Sequence, residues 1–297
     1  MTDDHSQQLA AAAERQSRAR DALGSTRFAD VRWLASTGST NSDGLELLRA
    51  GEPEGIVVVA DHQGAGRGRR DRVWEAPEGA SLLFTVLLRP PADRAGLTTA
   101  VLALAAADAV HALTGVRPGL KWPNDLVWPG DGTGPDRKLA GILAEAEWPP
   151  GTAEASGWRE PSPGQRAAVA AGMGVNVAWG DGFPEDLADR AVALDEIVAS
   201  LPEPVAVPDR VDLLVELLGF LDSGYRDLLA PDGPTVVVDR WRAGSATLGR
   251  RVRVDLGADD IEGVAVDVTA EGHLVVERDE GGRKVLAVGD VIHLRPT

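Results

Sequence analysis

The sequence predicts an α+β fold: a mixed layer of strands and helices followed by a small all-β barrel. Through residue 243, apolar runs of strand character and runs of helical spacing succeed one another without a regular βαβ alternation, which disfavours a doubly wound sheet. From about Ala246 onward, short apolar segments are separated by Gly, Asp and Glu turns at close spacing, the pattern of a small barrel. A length of 297 residues accommodates one large domain and one small one, with ample material for a core. The chain accordingly divides into a flexible amino-terminal segment at 1–28, a main domain at 29–243 and a β domain at 244–297.

Residues before Phe28 are polar and alanine-rich, which predicts one loose helix in an otherwise disordered segment, too short for a winged helix. A strand is expected over Val31 to Ser36, then the helix-start cluster Gly38-Ser39-Thr40-Asn41 and a helix from Ser42 to Ala50 that Gly51 ends. The β-branched run Ile56 to Ala60 is a strand that delivers the chain into Asp61 to Trp74. Ser81 to Arg89 reads as a buried strand broken by Pro90-Pro91. Ala95 to Leu113, alanine-rich and interrupted by Asp108 and His111, reads as a buried helix rather than a membrane span. Leu120 to Val127 is a short strand interrupted at Pro123-Asn124-Asp125, and Lys138 to Glu147 and Ala167 to Val177 are apolar strands. Between the last two lies Trp148 to Arg166, rich in Pro, Gly and Glu and expected as a solvated insertion. Leucines at helical spacing predict a helix over Pro208 to Leu229. The barrel strands are Arg251 to Asp255, Gly263 to Val268, His273 to Glu277 and Val285 to Val288.

Composition excludes several function classes. The chain has no cysteine, which removes disulfides, thiol nucleophiles and thiolate metal sites and makes a cytoplasmic location the expectation. Met1 to Gln8 lacks the basic start and apolar core of a secretory signal. A formal net charge of −16 repels nucleic acid overall. Against that background, Asp61 to Trp74 interleaves Gly64, Gly66 and Gly68 with Arg67, Arg69, Arg70 and Arg72. Such a loop brings backbone N–H groups and cations close to an anion; a solvated loop with scattered charge is the alternative. It is neither a dinucleotide fingerprint, since Arg69 stands where the last glycine belongs, nor a P-loop, since no Gly-Lys-Ser or Gly-Lys-Thr occurs. Trp74 offers a face for stacking, or is a core tryptophan.

Three further constellations carry polar chemistry inside apolar surroundings. In Lys121-Trp122-Pro123-Asn124-Asp125, Asn124 supplies a donor and an acceptor, although Pro-Asn-Asp is also ordinary turn chemistry. In Arg137-Lys138-Leu139-Ala140-Gly141-Ile142-Leu143, a lysine at the head of an apolar strand can reach a phosphate or carboxylate, or sit solvated at an edge. In Gly172-Met173-Gly174-Val175-Asn176, glycines at alternate strand positions mark a close approach to the backbone, or a bulge. Lysine is scarce, with only Lys121, Lys138 and Lys284 in the chain, and two of the three fall in these constellations.

Taken with Gly38-Ser39-Thr40-Asn41 and Gln63 to Arg70, these motifs in their order resemble biotin protein ligase, of the monofunctional type without a DNA-binding domain. The resemblance implies a class II synthetase-like domain, a central mixed sheet with helices on one side, and an SH3-like carboxyl-terminal barrel. It implies an enzyme that joins biotin and ATP, with Mg²⁺, into biotinyl-5'-AMP and passes the biotinyl group to a lysine of a biotin carboxyl carrier domain of acetyl-CoA or acyl-CoA carboxylase or pyruvate carboxylase. By motif, Ser39, Thr40, Asn41 and Gln63, with backbone at Gly66 and Arg67, meet the biotin head, and Gly141, Gly172 and Gly174 line the pocket. Arg67, Arg69 and Arg70 cover the carboxylate and phosphates, Trp74 stacks on adenine, and Asn124 and Asn176 read its edge. Lys138 bridges biotin carboxylate and α-phosphate as the first catalytic candidate, ahead of Arg67 and Arg69, and Asp125 aligns the incoming lysine. The resemblance implies no DNA or membrane partner and a monomer or homodimer. Asp71, inside the loop where a small or basic residue is expected, departs from the pattern and could weaken the loop's grip on phosphate or pair with Arg70; 130–136 and 148–166 are longer than a minimal version needs. The rivals are a lipoate or octanoate ligase, which shares the fold and adenylate chemistry, and a non-catalytic nucleic-acid-binding module.

Overall fold

Runs of β-branched residues and leucine bounded by glycine or proline become strands, and leucine- and alanine-spaced runs become helices. The computed structural model describes residues 2–129, 135–154, 157–180, 182–257 and 260–293. In chain order these form α1 (Thr2–Leu23), β1 (Val31–Thr37), α2 (Thr40–Arg49), β2 (Val57–Gln63), β3 (Ser81–Leu88), a 3₁₀ turn (Ala92–Leu97), α3 (Thr98–Thr114), β4 (Gly119–Lys121), β5 (Asp125–Trp128), β6 (Arg137–Glu147), β7 (Ala153–Glu154), β8 (Gly157–Trp158) and β9 (Ala168–Asn176). They continue with α4 (Leu194–Ala199), α5 (Arg210–Leu229), α6 (Gly233–Ala243), β10 (Arg251–Asp255), β11 (Asp260–Val268), β12 (Leu274–Arg278), β13 (Arg283–Leu286) and β14 (Asp290–His293).

Seven strands make one mixed sheet in the order β1-β2-β3-β9-β6-β5-β4, with β1 and β2 parallel and every other neighbouring pair antiparallel. One face carries Val57, Val59, Leu82, Phe84, Val86, Val169, Met173 and Val175 into a single core with residues of α1, α3, α5 and α6. Helix α3 is buried on nearly every side and stops where Gly115 turns left-handed at φ +74°. By length and composition Ala92–Thr114 could cross a membrane, but 61% of that window is buried inside this fold. On the opposite face α2 packs its Leu45 and Leu48 on Ile56, Val58, Leu87 and Ala170. Five further strands form an antiparallel sheet in the order β13-β12-β11-β10-β14. It joins the main body where Thr247 Oγ1 accepts from Trp122 N (3.0 Å) and Gly272 O accepts from Trp122 Nε1 (3.0 Å).

The amino-terminal segment corrects the sequence reading. Instead of a flexible 1–28, α1 is a 22-residue helix that buries Ala12, Ala19 and Leu23, with Phe28 beyond it. Alanine carries little hydrophobic signal yet lets a helix pack closely, and the polar residues are used in specific bonds: Arg15 to Asp61 Oδ2 (2.9 Å), Arg20 Nε to Val31 O (2.7 Å), and Gln16 Oε1 accepting from Trp33 N (3.0 Å). The 148–166 segment is likewise not plain solvated loop, since β7 pairs with β8 and Thr152 is buried; residues 155–156, and 130–134 of the other insertion, lie outside the described residues. Helices α4 and α6 and strand β14 have no counterpart in the sequence reading.

Candidate active site

Antiparallel pairing sets same-face residues side by side, so the site can be read as rows across the sheet. One row runs Leu83, Gly174, Gly141, Asp125, and the next Thr85, Gly172, Leu143. Glycine at three of these positions leaves a floor without side chains, over which a cavity of about 360 Å³ opens. What fills the space above the glycines is specific. A Cβ at 174 would lie 2.6 Å from Cε2 of Trp74, one at 172 would lie 2.3 Å from Oδ1 of Asn41, and one at 141 would lie 2.7 Å from Nζ of Lys138.

At one end of the floor, the start of α2 and the end of β2 form a small polar pocket. Gln63 Oε1 accepts from Thr40 N (2.7 Å) and Thr40 Oγ1 (3.0 Å), and Thr85 Oγ1 lies 2.9 Å from Thr40 Oγ1 and 3.2 Å from Asn41 Oδ1. Ser39, Thr40 and Asn41 are all buried. This is a neutral hydroxyl and amide cluster, suited to a polar uncharged ring.

The arginine loop is a tight hairpin rather than an open coil. Arg67 bridges Val73, Gly68 N donates to Arg72 O (2.7 Å), and Trp74 N donates to Gly66 O (3.0 Å). Gly66 is required by this closure, because a Cβ there would sit 2.2 Å from Trp74 O. Arg70 and Asp71 occupy the tip with left-handed φ of 53° and 57°. Aspartate is among the residues that tolerate this region, which accounts for Asp71 as turn chemistry. The carboxylates that Arg70 meets are Asp255 (3.2 Å) and Asp290 (3.6 Å), not Asp71. Trp74 leaves the hairpin to lie on the glycine floor, its ring centroid 5.6 Å from Lys138 Nζ and its Nε1 buried without an acceptor among the described residues.

At the other end, the β4–β5 turn and the head of β6 bring Lys138 Nζ within 2.6 Å of Asp125 Oδ1. Lys121, in the same wall, has its pKa lowered by burial, with Asp125 and Asp136 opposing. Burial also lowers Arg69, against the pull of Asp290. The cavity thus has cations on two sides, a neutral pocket at one end and an apolar floor capped by indole. Chemically it can hold a small polar head, an acidic tail and phosphates together.

The structure brings Ser39, Thr40, Asn41, Gln63, Arg67, Arg69, Trp74, Asn124, Asp125, Lys138, Gly141 and Gly172 to this cavity. It does not bring Gly66, Asn176 or Arg70 there; Gly66 lies at the base of the hairpin, against Trp74 O. Asn176 is buried beneath the wall, its Nδ2 on Lys138 O (3.4 Å) and Val192 O (3.2 Å) and its Oδ1 accepting from Ser81 Oγ (3.3 Å). Arg70 turns to the carboxyl-terminal domain and donates to Asp255 O (2.8 Å). Asn124 reaches the cavity but spends Nδ2 on Ile142 O (2.7 Å), and its Oδ1 lies 3.3 Å from Arg69 NH1. Sequence reading missed two carboxylates. Asp290 pairs with Arg69 (3.3 Å) and with Arg72, and Glu145 takes the Arg67 guanidinium in two parallel bonds of 2.8 and 2.9 Å. Neither stands in a motif; the one available signal was an acid on the cavity face of the apolar strand β6.

The chain is similar to known proteins over most of its length. Residues 33–149 match the biotin/lipoate A/B protein ligase family, and residues 247–294 match the biotin protein ligase C-terminal domain. A biotin–[acetyl-CoA-carboxylase] ligase of Mycobacterium tuberculosis is 36% identical over 88% of this chain and 88% of its own length. One of Paracoccus denitrificans is 33% identical over 87% of this chain and 98% of its own. The solved structure of biotin protein ligase from Aquifex aeolicus in complex with biotin and ATP superposes with a TM-score of 0.68 at 25% identity, covering 91% of this chain and all of that one.

Proposed function

This chain belongs to the biotin protein ligase family and is a ligase, and on that premise we propose that it activates biotin with ATP as biotinyl-5'-AMP. It then passes the biotinyl group to a lysine of a carboxylase's biotin carboxyl carrier domain. The observation that carries this reading is one cavity that joins the neutral Thr40–Gln63 pocket to the cationic wall of Arg67, Arg69 and Lys138. The ureido head of biotin occupies the neutral end, where hydroxyl and amide groups pair with it without burying a charge. Its valerate carboxylate then points toward Lys138.

In the first step a carboxylate oxygen bonds to the α-phosphorus while the bond to the β-phosphate oxygen breaks and pyrophosphate leaves. Two anions must be held together and the charge moving onto pyrophosphate stabilised. Lys138, held at 2.6 Å by Asp125, supplies a compact charge between carboxylate and α-phosphate, and Arg67 and Arg69 supply planar donors. In the second step the carrier lysine's amine attacks the acyl carbon and AMP leaves, with Asp125 aligning the amine. On this reading Trp74 stacks on adenine and Asn124 lies along its edge. Mg²⁺ is expected with the ATP, as part of the substrate.

Biotin-dependent exchange of labelled pyrophosphate into ATP tests the reading. We expect exchange with biotin and not with lipoate, followed by biotinylation of an added carrier domain. Exchange with lipoate alone would transfer the protein to the lipoate rival, and exchange with neither would overturn adenylation. The nucleic-acid reading fares worse on structure, since Arg67, Arg69, Arg70 and Arg72 meet carboxylates of their own chain.

A further inference from the structure

Glu145 sits on β6 one row beyond Gly172, paired across the strands with Ala170. Its carboxylate accepts both terminal nitrogens of Arg67, at 2.8 and 2.9 Å, and the same Oε2 accepts Asn41 Nδ2. Asn41 Oδ1 in turn faces Thr85 Oγ1, which contacts Thr40 Oγ1, which donates to Gln63. Hydrogen bonds therefore run from the arginine loop through Glu145 to Asn41, and the single Thr85 hydroxyl proton, shared between Asn41 Oδ1 and Thr40 Oγ1, links Asn41 to the neutral pocket. An ionised carboxylate only accepts, so Glu145 dictates which way the Asn41 amide is turned. It also occupies only one end of the guanidinium, leaving the Arg67 Nε–H and two outer N–H groups for an anion.

We propose that Glu145 is a positioning residue of adenylation, locking the Arg67 fork and the Asn41 amide in one geometry so that the loop and the biotin pocket form together. The inference rests on the adenylation reading above. Glu145 and Arg67 are 26% and 44% exposed, and pairs this accessible contribute little to stability. Its effect falls on position rather than on folding. Glu147, two residues along the same strand, pairs with Arg49 outside the cavity (2.5 Å) and serves as the internal control.

The full chain is compared as wild type, Glu145→Gln, Glu145→Asp and Glu147→Gln in three measurements: Tm, trypsin cleavage within the 67–72 loop without ligands, and KM and kcat for pyrophosphate exchange. We expect Glu145→Gln to keep its Tm, to be cut in the loop faster, and to raise the KM for biotin about tenfold while kcat changes less than about threefold. Glu145→Asp should recover part of the KM, and Glu147→Gln should match wild type. In the double variant Arg67→Ala with Glu145→Gln, the KM should rise by less than the product of the two single effects, because the carboxylate acts partly through Arg67 and partly through Asn41. Cleavage and KM of both Glu145 variants equal to wild type would overturn the inference, as would additive effects in the double variant. Absence of exchange in wild type would instead sink the adenylation reading and leave the cleavage comparison to decide whether Glu145 holds the loop.

Discussion

On β9, Val169, Ala171, Met173 and Val175 point into the core shared with α3 and α5, while Ala170, Gly172, Gly174 and Asn176 point to the side of α2 and the cavity. The neighbouring strands repeat the contrast, with Phe84 and Ile142 on one face and Thr85 and Gly141 on the other. A strand's period of two lets one sequence serve both. The core face is chosen for volume and the cavity face for its absence, so the same kind of substitution should have opposite signatures on the two sides. Removing volume from the core face should cost stability, and adding volume to the cavity face should cost chemistry.

The largest effect belongs to the core face. Phe84→Ala empties a fully buried site and should cost about 3–5 kcal/mol of stability, read as a shift in the urea midpoint, while the activity of the molecules that remain folded is preserved. A variant that stayed stable but lost exchange would break the division of labour between the faces. On the cavity side, Lys138→Ala should slow adenylation by about 10²- to 10³-fold with little change in Tm. The lysine is half-buried and among the described residues its ion pair is with Asp125, so unchanged exchange kinetics would remove it from the mechanism.

Gly174→Ala is the sharper probe of the floor. Its methyl would meet the Trp74 ring at 2.6 Å, and the indole must lift. On the proposed reading, displacing the group that stacks on adenine should cost about 10²-fold in exchange, with the loss appearing mainly in the KM for ATP. Ala171→Gly, three residues back on the core face of the same strand, should leave exchange per folded molecule unchanged. Equal kinetic losses from the two would mean that the glycines serve strand packing and not the cavity.

Motif spacing announced one side of this comparison and parts of the other. Alternate glycines at 172 and 174, Lys138 at the head of an apolar strand and the arginine loop were legible because each departs from what a strand or helix needs locally. Glu145 and Asp290 were not, because an acid in a strand is unremarkable until the fold brings an arginine from elsewhere in the chain to it. The same physics hid α1. Its contribution rests on close alanine packing and on Arg15, which joins Arg210 and Trp33 around the buried Asp61 carboxylate, and none of these has a local periodic signature. Asn176 was legible as a polar residue at a strand end, but its partners, Lys138 O and Val192 O, come from segments whose placement only the tertiary structure fixes.

Acid offers the mildest way to separate the two faces. The cavity wall continues into the carboxyl-terminal domain through His293, whose Nδ1 lies 2.9 Å from Asp136 and whose Nε2 lies 3.3 Å from Thr247 Oγ1, with Arg250 also at Nδ1 (3.2 Å). Burial, reinforced by the charges of Lys121 and Arg250 and opposed by Asp136, pushes its pKa from the ordinary 6.5 down to about 4. The unfolded chain therefore takes up a proton before the folded one does. The stability tied to neutral His293 is whole above pH 6.5 and is lost as pH falls toward 4, reaching about 2 kcal/mol by pH 5. Urea midpoints at pH 7.5 and pH 5 should therefore converge in His293→Gln relative to wild type, and the variant's core should melt with the same cooperativity at both. An unchanged difference between the two pH values would assign the acid sensitivity to other groups and take His293 out of the joint between the cavity wall and the second domain.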